Sequence, residues 1–245
     1  MTLSKSTFEL EKILAEKGFE VIIGTDEVGR GPLCGPVVAC AVALKSRLLP
    51  FSFQESKQWD LVRDSKKLSE KQREEMFGFI HEHFHVGIGL CDHETIDRIN
   101  ILEASFLAMK KAIQELRRKM NQESGVASDD SKYMVLVDGN KKIPNLSMGQ
   151  MAVIGGDKIV KSISAASIVA KVTRDRMMEQ FHEKYPQYGF DKHKGYGTKA
   201  HMDALSEHGS CEIHRKSFGP VSRLANLKKR GYRANVVLII ERQTG

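Results

Sequence analysis

The chain has 245 residues, 41% of them hydrophobic and 28% charged, a balance that suits a globular protein able to bury a substantial core. No apolar run reaches the roughly 20 residues needed to span a bilayer, and the N-terminus lacks the apolar core of a secretory signal, so the expectations are a cytoplasmic location and no membrane. The net charge of +7 is unevenly placed, with 21 Lys/Arg against 23 Asp/Glu up to residue 157 and 16 against 7 over residues 158–235, which suits a polyanionic partner such as nucleic acid.

Residues 1–19 carry Phe8, Leu10, Ile13 and Leu14 among charges and predict a short amphipathic helix, a terminal cover. Val21-Ile22-Ile23 reads as a short buried strand, ended by turn formers from Gly24 to Gly31. The small apolar run 37–44 predicts a strand buried on both faces. A helix follows Ser69, and residues 85–90 form a third strand of the same sheet. Over 101–120, Leu102, Phe106, Met109, Ile113 and Leu116 recur at three- and four-residue steps, marking an amphipathic helix with a basic end. Residues 121–132 read as a loop, 133–137 as a fourth strand and 150–154 as a fifth. The span 159–185 predicts one helix, rich in small residues in its first half. Thr198 caps a helix over 199–207 that Gly209 ends, and 220–230 gives a basic helix. Residues 236–245 are apolar, then charged. This order indicates an α/β core with a helical C-terminal extension.

Three strand ends carry acids: Asp26-Glu27, Asp138 and Asp157. Ligands of open α/β sheets gather at strand ends, so these four residues can converge. Four carboxylates in one small site repel one another and attract hard divalent cations, Mg2+ or Mn2+. Two such ions about 4 Å apart can activate a water and stabilise the leaving oxygen of a phosphodiester. Adjacent strand side chains face opposite ways, so for Asp26 and Glu27 to share a metal the reading expects the chain to bend after Asp26. Gly29 and Gly31 allow close backbone approach to a ligand, and Arg30 supplies a permanent charge suited to phosphate.

Six blocks in order resemble bacterial ribonuclease HII: Asp-Glu-Val-Gly-Arg-Gly-Pro-Leu at 26–33, Asp-Ser-Lys-Lys-Leu at 64–68, Val-Asp-Gly at 137–139, Gly-Asp-Lys at 156–158, residues 164–175, and His-Lys-Gly-Tyr-Gly-Thr at 193–198. The resemblance implies a ribonuclease H-like fold with a central mixed five-stranded sheet flanked by helices. The expected domains are a cover (1–19), a catalytic core (20–185) and a basic extension packed on it (186–245). It also implies an endonuclease, needing Mn2+ or Mg2+ held by Asp26, Glu27, Asp138 and Asp157. The enzyme would cut the RNA strand of RNA–DNA hybrids and single ribonucleotides in duplex DNA on the 5′ side of a ribonucleotide, leaving 3′-hydroxyl and 5′-phosphate ends, as in ribonucleotide excision repair. By the same resemblance Gly29, Arg30 and Gly31 read the ribose 2′-hydroxyl and its phosphate, Lys66 holds a phosphate, and Tyr196 contacts the sugar beside the RNA-to-DNA junction. A monomer is expected.

Other groupings are read as structural. Asp175, between Arg174 and Arg176, is assigned to a local ion-pair cluster rather than to the metal set. His81, His83 and His85 alternate as on one strand face, the ordinary surface pattern. His208, Cys211 and His214 have ligand-like spacing without a fourth partner and read as loop residues around Gly209. Cys34, Cys40, Cys91 and Cys211 form no C-x-x-C pair and read as buried free thiols. Two alternatives are a ribonuclease HIII-like enzyme and a non-catalytic hybrid-binding module. The first ranks lower because about 20 residues precede the first strand and Tyr196 stands in the type HII position. The second predicts losses among the four acids, and all four are present.

Overall fold

A computed structural model describes residues 6–45, 57–124 and 129–229 of the chain. The segment 236–245 lies outside the described residues, as do the ends of the expected N-terminal cover and of the last helix. The chain forms two compact units that interleave along the sequence: Met1–Val28, Val38–Leu90 and Ser105–Thr173 make the first, and Gly29–Val37, Cys91–Ala104 and Arg174–Gly245 the second.

The first unit is built on a five-stranded sheet in the order β3-β2-β1-β4-β5, with β1 Val21–Val28, β2 Val37–Leu44, β3 Phe84–Cys91, β4 Tyr133–Asp138 and β5 Gly149–Val153. Strand β1 runs antiparallel to β2 and parallel to β4, and β4 runs parallel to β5, so the sheet is mixed. Interior strand β2 is buried from Val37 to Ala43, as its small apolar run requires. Its Cys40 and Val42 pack in one core with Trp59 of helix α2 (Lys57–Leu61), Met76, Phe79, Ile80 and Ala165, Ala166 and Ile168. Helix α1 (Glu9–Glu16) buries Leu14 in a second core with Leu136, Val160 and Ile163. Helix α3 (Glu70–His83) opens with a capping box between Ser69 and Gln72. On edge strand β3, Gly87 and Gly89 let helix α5 (Ile101–Ser124) approach closely, since a Cβ at either would meet the Ala112 or Ala108 carbonyl at 2.1 or 2.2 Å.

Several sequence expectations change here. Strand β1 does not stop at Gly24 but continues through the acids to Val28. Gly24 is a packing glycine: a Cβ would lie 2.3 Å from the Ser162 carbonyl carbon and 2.6 Å from the Ile163 nitrogen of helix α7 (Lys161–Lys184). Because the obstruction is backbone, Gly24→Ala should destabilise the protein by roughly 1–3 kcal/mol, the usual range for overpacking. An unchanged urea midpoint would contradict that close approach. The helix expected over 159–185 is α7; a separate short helix, α6 (Gly156–Ile159), precedes it, the two divided by an extended Val160. The loop expected over 121–132 is helical to Ser124, and a 3-10 turn covers Asp130–Lys132. His81 and His83 close a helix, not a strand, each ring Nδ1 bonding the carbonyl four residues back at 2.8 and 2.9 Å.

The second unit is mainly helical. It contains α4 (His93–Ile99), which periodicity did not reveal, with α8 (Phe190–His193), α9 (Lys199–His208) and α10 (Gly219–Lys229). Its core joins Leu33 and Cys34 to Met178, Tyr188, Phe190 and Leu205. Asp97 receives the Lys216 and Ser217 backbone N–H groups at 2.8 and 2.9 Å, fixing the approach to α10. The four cysteines are free; Cys34, Cys40 and Cys91 are buried and Cys211 is half-buried. No helix among the described residues is long and apolar enough to cross a membrane.

Candidate active site

The first unit brings carboxylates together from chain positions more than a hundred residues apart. Asp26 lies on β1, and the parallel register ends with Thr25 opposite Val137, so Asp26 and Asp138 follow as neighbours at the ends of β1 and β4. The Gly139 N–H binds the Val153 carbonyl at 3.0 Å, so the chain turns off β4 and β5 together. Left-handed Gly155 (φ +65°) then starts α6, with Asp157 in its first turn. The Asp157 N–H donates to Asp138 Oδ1 at 3.3 Å, joining the two acids directly.

The electrostatics record that convergence. Burial first, then Glu27 and Asp138, push the Asp26 carboxyl well above its ordinary range, against hydrogen bonds from Ser167 and the Glu27 N–H. Burial, Asp138 and Asp64 push Asp157 up, opposed by Lys66 and Lys158. All four acids found by sequence therefore share one locality, Glu27 and Asp138 acting on Asp26 and Asp138 on Asp157. Lys66 reaches it as well. The donors are all carboxylate oxygens, and their mutual repulsion is relieved by a cation, so the residues fit a hard divalent metal ion.

Asp26 and Glu27 do not meet through a bend after Asp26. The register with β2 continues through Asp26 opposite Cys40, Glu27 opposite Ala39 and Val28 opposite Val38, and the backbone first departs at Gly29 (φ +97°). The Glu27 N–H instead binds Asp26 Oδ1 at 2.7 Å. The repulsion between the two carboxyls places Glu27 within electrostatic reach of its neighbour despite strand alternation.

Some contributors escaped the sequence reading. Ser167 on α7 hydrogen-bonds Asp26, and its Oγ lies 3.0 Å from that of Ser65. Asp64 is buried and caps the Ser65–Lys67 turn by accepting the Lys66 N–H at 3.0 Å, while raising Asp157 through space. The block at 64–68 held the signal, but only its lysine was assigned a role.

In the second unit, the turn from Gly29 to Pro36 is wrapped around two buried guanidinium groups. Arg215 donates to the carbonyls of Gly29 (2.6 Å), Arg30 (3.1 Å), Pro32 (2.7 Å) and Gly35 (2.9 and 3.0 Å). Arg174 donates to those of Pro36 (3.0 Å), Cys34 (3.1 Å) and Lys194 (2.9 Å). Arg174, read as part of a local ion-pair cluster with Asp175, is chiefly a buried carbonyl clamp. Both guanidinium groups are fully buried. Gly29 is needed twice, for its φ of +97° and because a Cβ would lie 2.3 Å from Arg174 Nε. A Cβ on Gly31 would sit 3.5 Å from the Tyr196 ring, so the turn runs beside that tyrosine, which is 45% exposed. His214 lies in the loop after α9, as the sequence suggests, but is fully buried, its Nε2 3.1 Å from that of His201.

The family model described as Ribonuclease HII matches residues 23–221. A ribonuclease HII of Bacillus subtilis is 50% identical over 212 residues, 86% of this chain and 74% of that protein. One of Fusobacterium nucleatum is 46% identical over 201 residues, 82% of this chain and 86% of that protein. Among solved structures, ribonuclease H2 from Pyrococcus horikoshii superposes with a TM-score of 0.61 at 24% identity, covering 83% of this chain and 96% of that one. Bst RNase HIII in complex with Mn2+ gives 0.64 at 17% identity, covering 87% and 71%. These two likenesses establish a shared fold.

Proposed function

The chain belongs to the ribonuclease HII family, and on that premise we propose that it cuts the RNA strand of RNA–DNA hybrids and single ribonucleotides embedded in duplex DNA. Hydrolysis on the 5′ side of a ribonucleotide leaves a 3′-hydroxyl and a 5′-phosphate. The carrying observation is the buried carboxylate cluster, in which Asp26 and Asp157 are both held up by burial and by Asp138. A divalent-metal requirement comes with the family; Asp26, Glu27, Asp138 and Asp157 would hold Mg2+ or Mn2+. Bound ions of this kind supply an activated water and charge stabilisation at the leaving oxygen.

The chain's own residues divide the remaining work. Ser167 and the Glu27 N–H fix the Asp26 carboxyl. Asp138 and the Asp157 N–H hold each other. Lys66 meets a phosphate beside the acids. The backbone of Gly29, Arg30 and Gly31, free of bulky side chains at both glycines, meets the 2′-hydroxyl, the group that separates RNA from DNA. Tyr196 covers the sugar at the junction. The net charge suits a nucleic-acid substrate, and action as a monomer in a cytoplasmic setting belongs to the same proposal.

The test compares a DNA duplex with one embedded ribonucleotide, an RNA–DNA hybrid and an all-DNA duplex, each with Mg2+ and with Mn2+. Cleavage of the first two and not the third is expected. Tyr196→Ala should lower cleavage at the single ribonucleotide about 10-fold or more, the scale of a lost stacking contact, and affect all-RNA hybrids less. Equal losses on both substrates would remove Tyr196 from the junction.

A further inference from the structure

We propose that His201 and His214 are positioning residues for Tyr196, linked in a one-directional hydrogen-bond relay that runs from the Cys211 backbone to the Tyr196 carbonyl. The inference rests on the reading of Tyr196 as a substrate contact. Its direction follows from the two ends of the relay. The Cys211 N–H can only donate, and it lies 3.0 Å from His214 Nδ1, so that nitrogen is the acceptor. The Tyr196 carbonyl can only accept, and it lies 2.9 Å from His201 Nδ1, so that nitrogen carries the proton. The two Nε2 atoms stand 3.1 Å apart between them. In neutral rings His214 Nε2 must then carry a proton and His201 Nε2 must lack one, so His214 donates to His201. Each end demands the tautomer that the middle bond needs.

The surroundings keep both rings in that state. Both histidines are fully buried. Burial holds His201 and His214 down to about 4, so both are neutral at pH 7. His193 stacks on His201 with centroids 4.6 Å apart and planes 13° apart. It is wired the same way, its Nδ1 accepting the Gly195 N–H at 3.2 Å and its Nε2 donating to the Tyr188 carbonyl at 2.8 Å. The Tyr196 carbonyl also receives the Thr198 N–H at 2.8 Å, and Gly195 accepts the Leu33 N–H at 2.8 Å, so the loop bearing Tyr196 is fastened on both sides of the ring. Cys34 Sγ, His201 and His214 offer three ligand atoms within 4.8 Å of one another, the spacing of a metal site. A metal on His214 Nε2 would force the proton onto Nδ1, against the Cys211 N–H, so the relay is the arrangement this backbone supports.

Two measurements test it. In the wild-type enzyme with 15N-labelled histidine, NMR at pH 7 should find His214 protonated on Nε2 and His201 on Nδ1. The opposite tautomer of either, or a charged ring, would overturn the relay, and this holds whether or not any variant folds. His214→Phe keeps a ring in the core but removes the donor to His201 without touching the Tyr196 loop. Cleavage at an embedded ribonucleotide should fall about 10-fold, the scale of a small misplacement of a substrate-positioning group, with a smaller loss on all-RNA hybrids. In a Tyr196→Ala background the same change should add no further loss of that preference. Equal loss on both substrates, or the full effect on top of Tyr196→Ala, would overturn the positioning role. If Tyr196→Ala alone leaves the preference unchanged, the reading of Tyr196 fails instead, and the NMR tautomers still decide the relay.

Discussion

Asp138→Asn is expected to slow cleavage more than about 100-fold, because even the partners that orient metal ligands are typically worth 10–100-fold. Asp138 is the acid that couples Asp26 to Asp157. It raises both Asp26 and Asp157, and its Oδ1 accepts the Asp157 N–H. Asparagine has the same shape and can still accept that N–H through its own oxygen, so the fold should be kept. It lacks the charge, so the pull on a divalent cation weakens and Asp26 and Asp157 return toward ordinary carboxylate values. Three measurements separate these effects: nicking of an embedded ribonucleotide with saturating Mn2+, duplex binding without cation, and thermal unfolding without cation. Loss of the first, retention of the second and an equal or higher melting temperature in the third are expected, since removing a repulsive, half-buried charge from a functional site often stabilises the protein. Unimpaired nicking would remove Asp138 from the metal set.

Arg215→Met is expected to cost roughly 3–5 kcal/mol of stability, because it strands four carbonyls and an unsatisfied buried acceptor costs about 1–3 kcal/mol before relaxation. Methionine approximates the length of the buried stem, so the loss isolates the guanidinium. Burial and neighbouring Arg174 press Arg215 down to about 9, which still leaves it charged at neutral pH. What offsets this cost is the ring of carbonyl oxygens from Gly29, Arg30, Pro32 and Gly35. Arg215→Lys restores charge but has three donors on a single nitrogen and lacks the planar fork, so it should recover less than half of the loss. Urea unfolding measures both variants. A Met variant within 1 kcal/mol of the wild type would mean that water satisfies these carbonyls, by the usual bound for a solvent-replaceable bond. Because the same carbonyls shape the turn at Gly29-Arg30-Gly31, the Met variant should also lose discrimination of ribose from deoxyribose.

Much of the fold could be read along the chain. Strands β2 to β5 and helices α3, α5 and α9 lie within a few residues of where apolar runs, periodicity and caps put them. The errors share a cause. Gly24 reads as a turn in isolation and is a packing glycine because α7 crosses there, information held 138 residues away at Ser162. His81 and His83 alternate like a strand but end a helix, since α3 has apolar Met76 and Ile80 to bury, and two histidines carry no periodicity of their own. Short α4 has too few turns to show a face.

The sequence by itself determined the chemistry: four carboxylates at or just beyond strand ends, a glycine-flanked arginine, and the family whose blocks contain them. Those are local signals, because a strand end, a turn glycine and a motif spacing are each written within a few residues. Only the tertiary structure decided which side chains support that chemistry. Ser167 on Asp26, Asp64 beside Asp157, Arg174 and Arg215 under the turn, and the His214–His201 relay to Tyr196 all depend on partners far apart in sequence. Serine, arginine and histidine read as surface residues until burial removes water. Their hydrogen bonds must then be found inside the protein, and where they are found is set by packing, which no local pattern records.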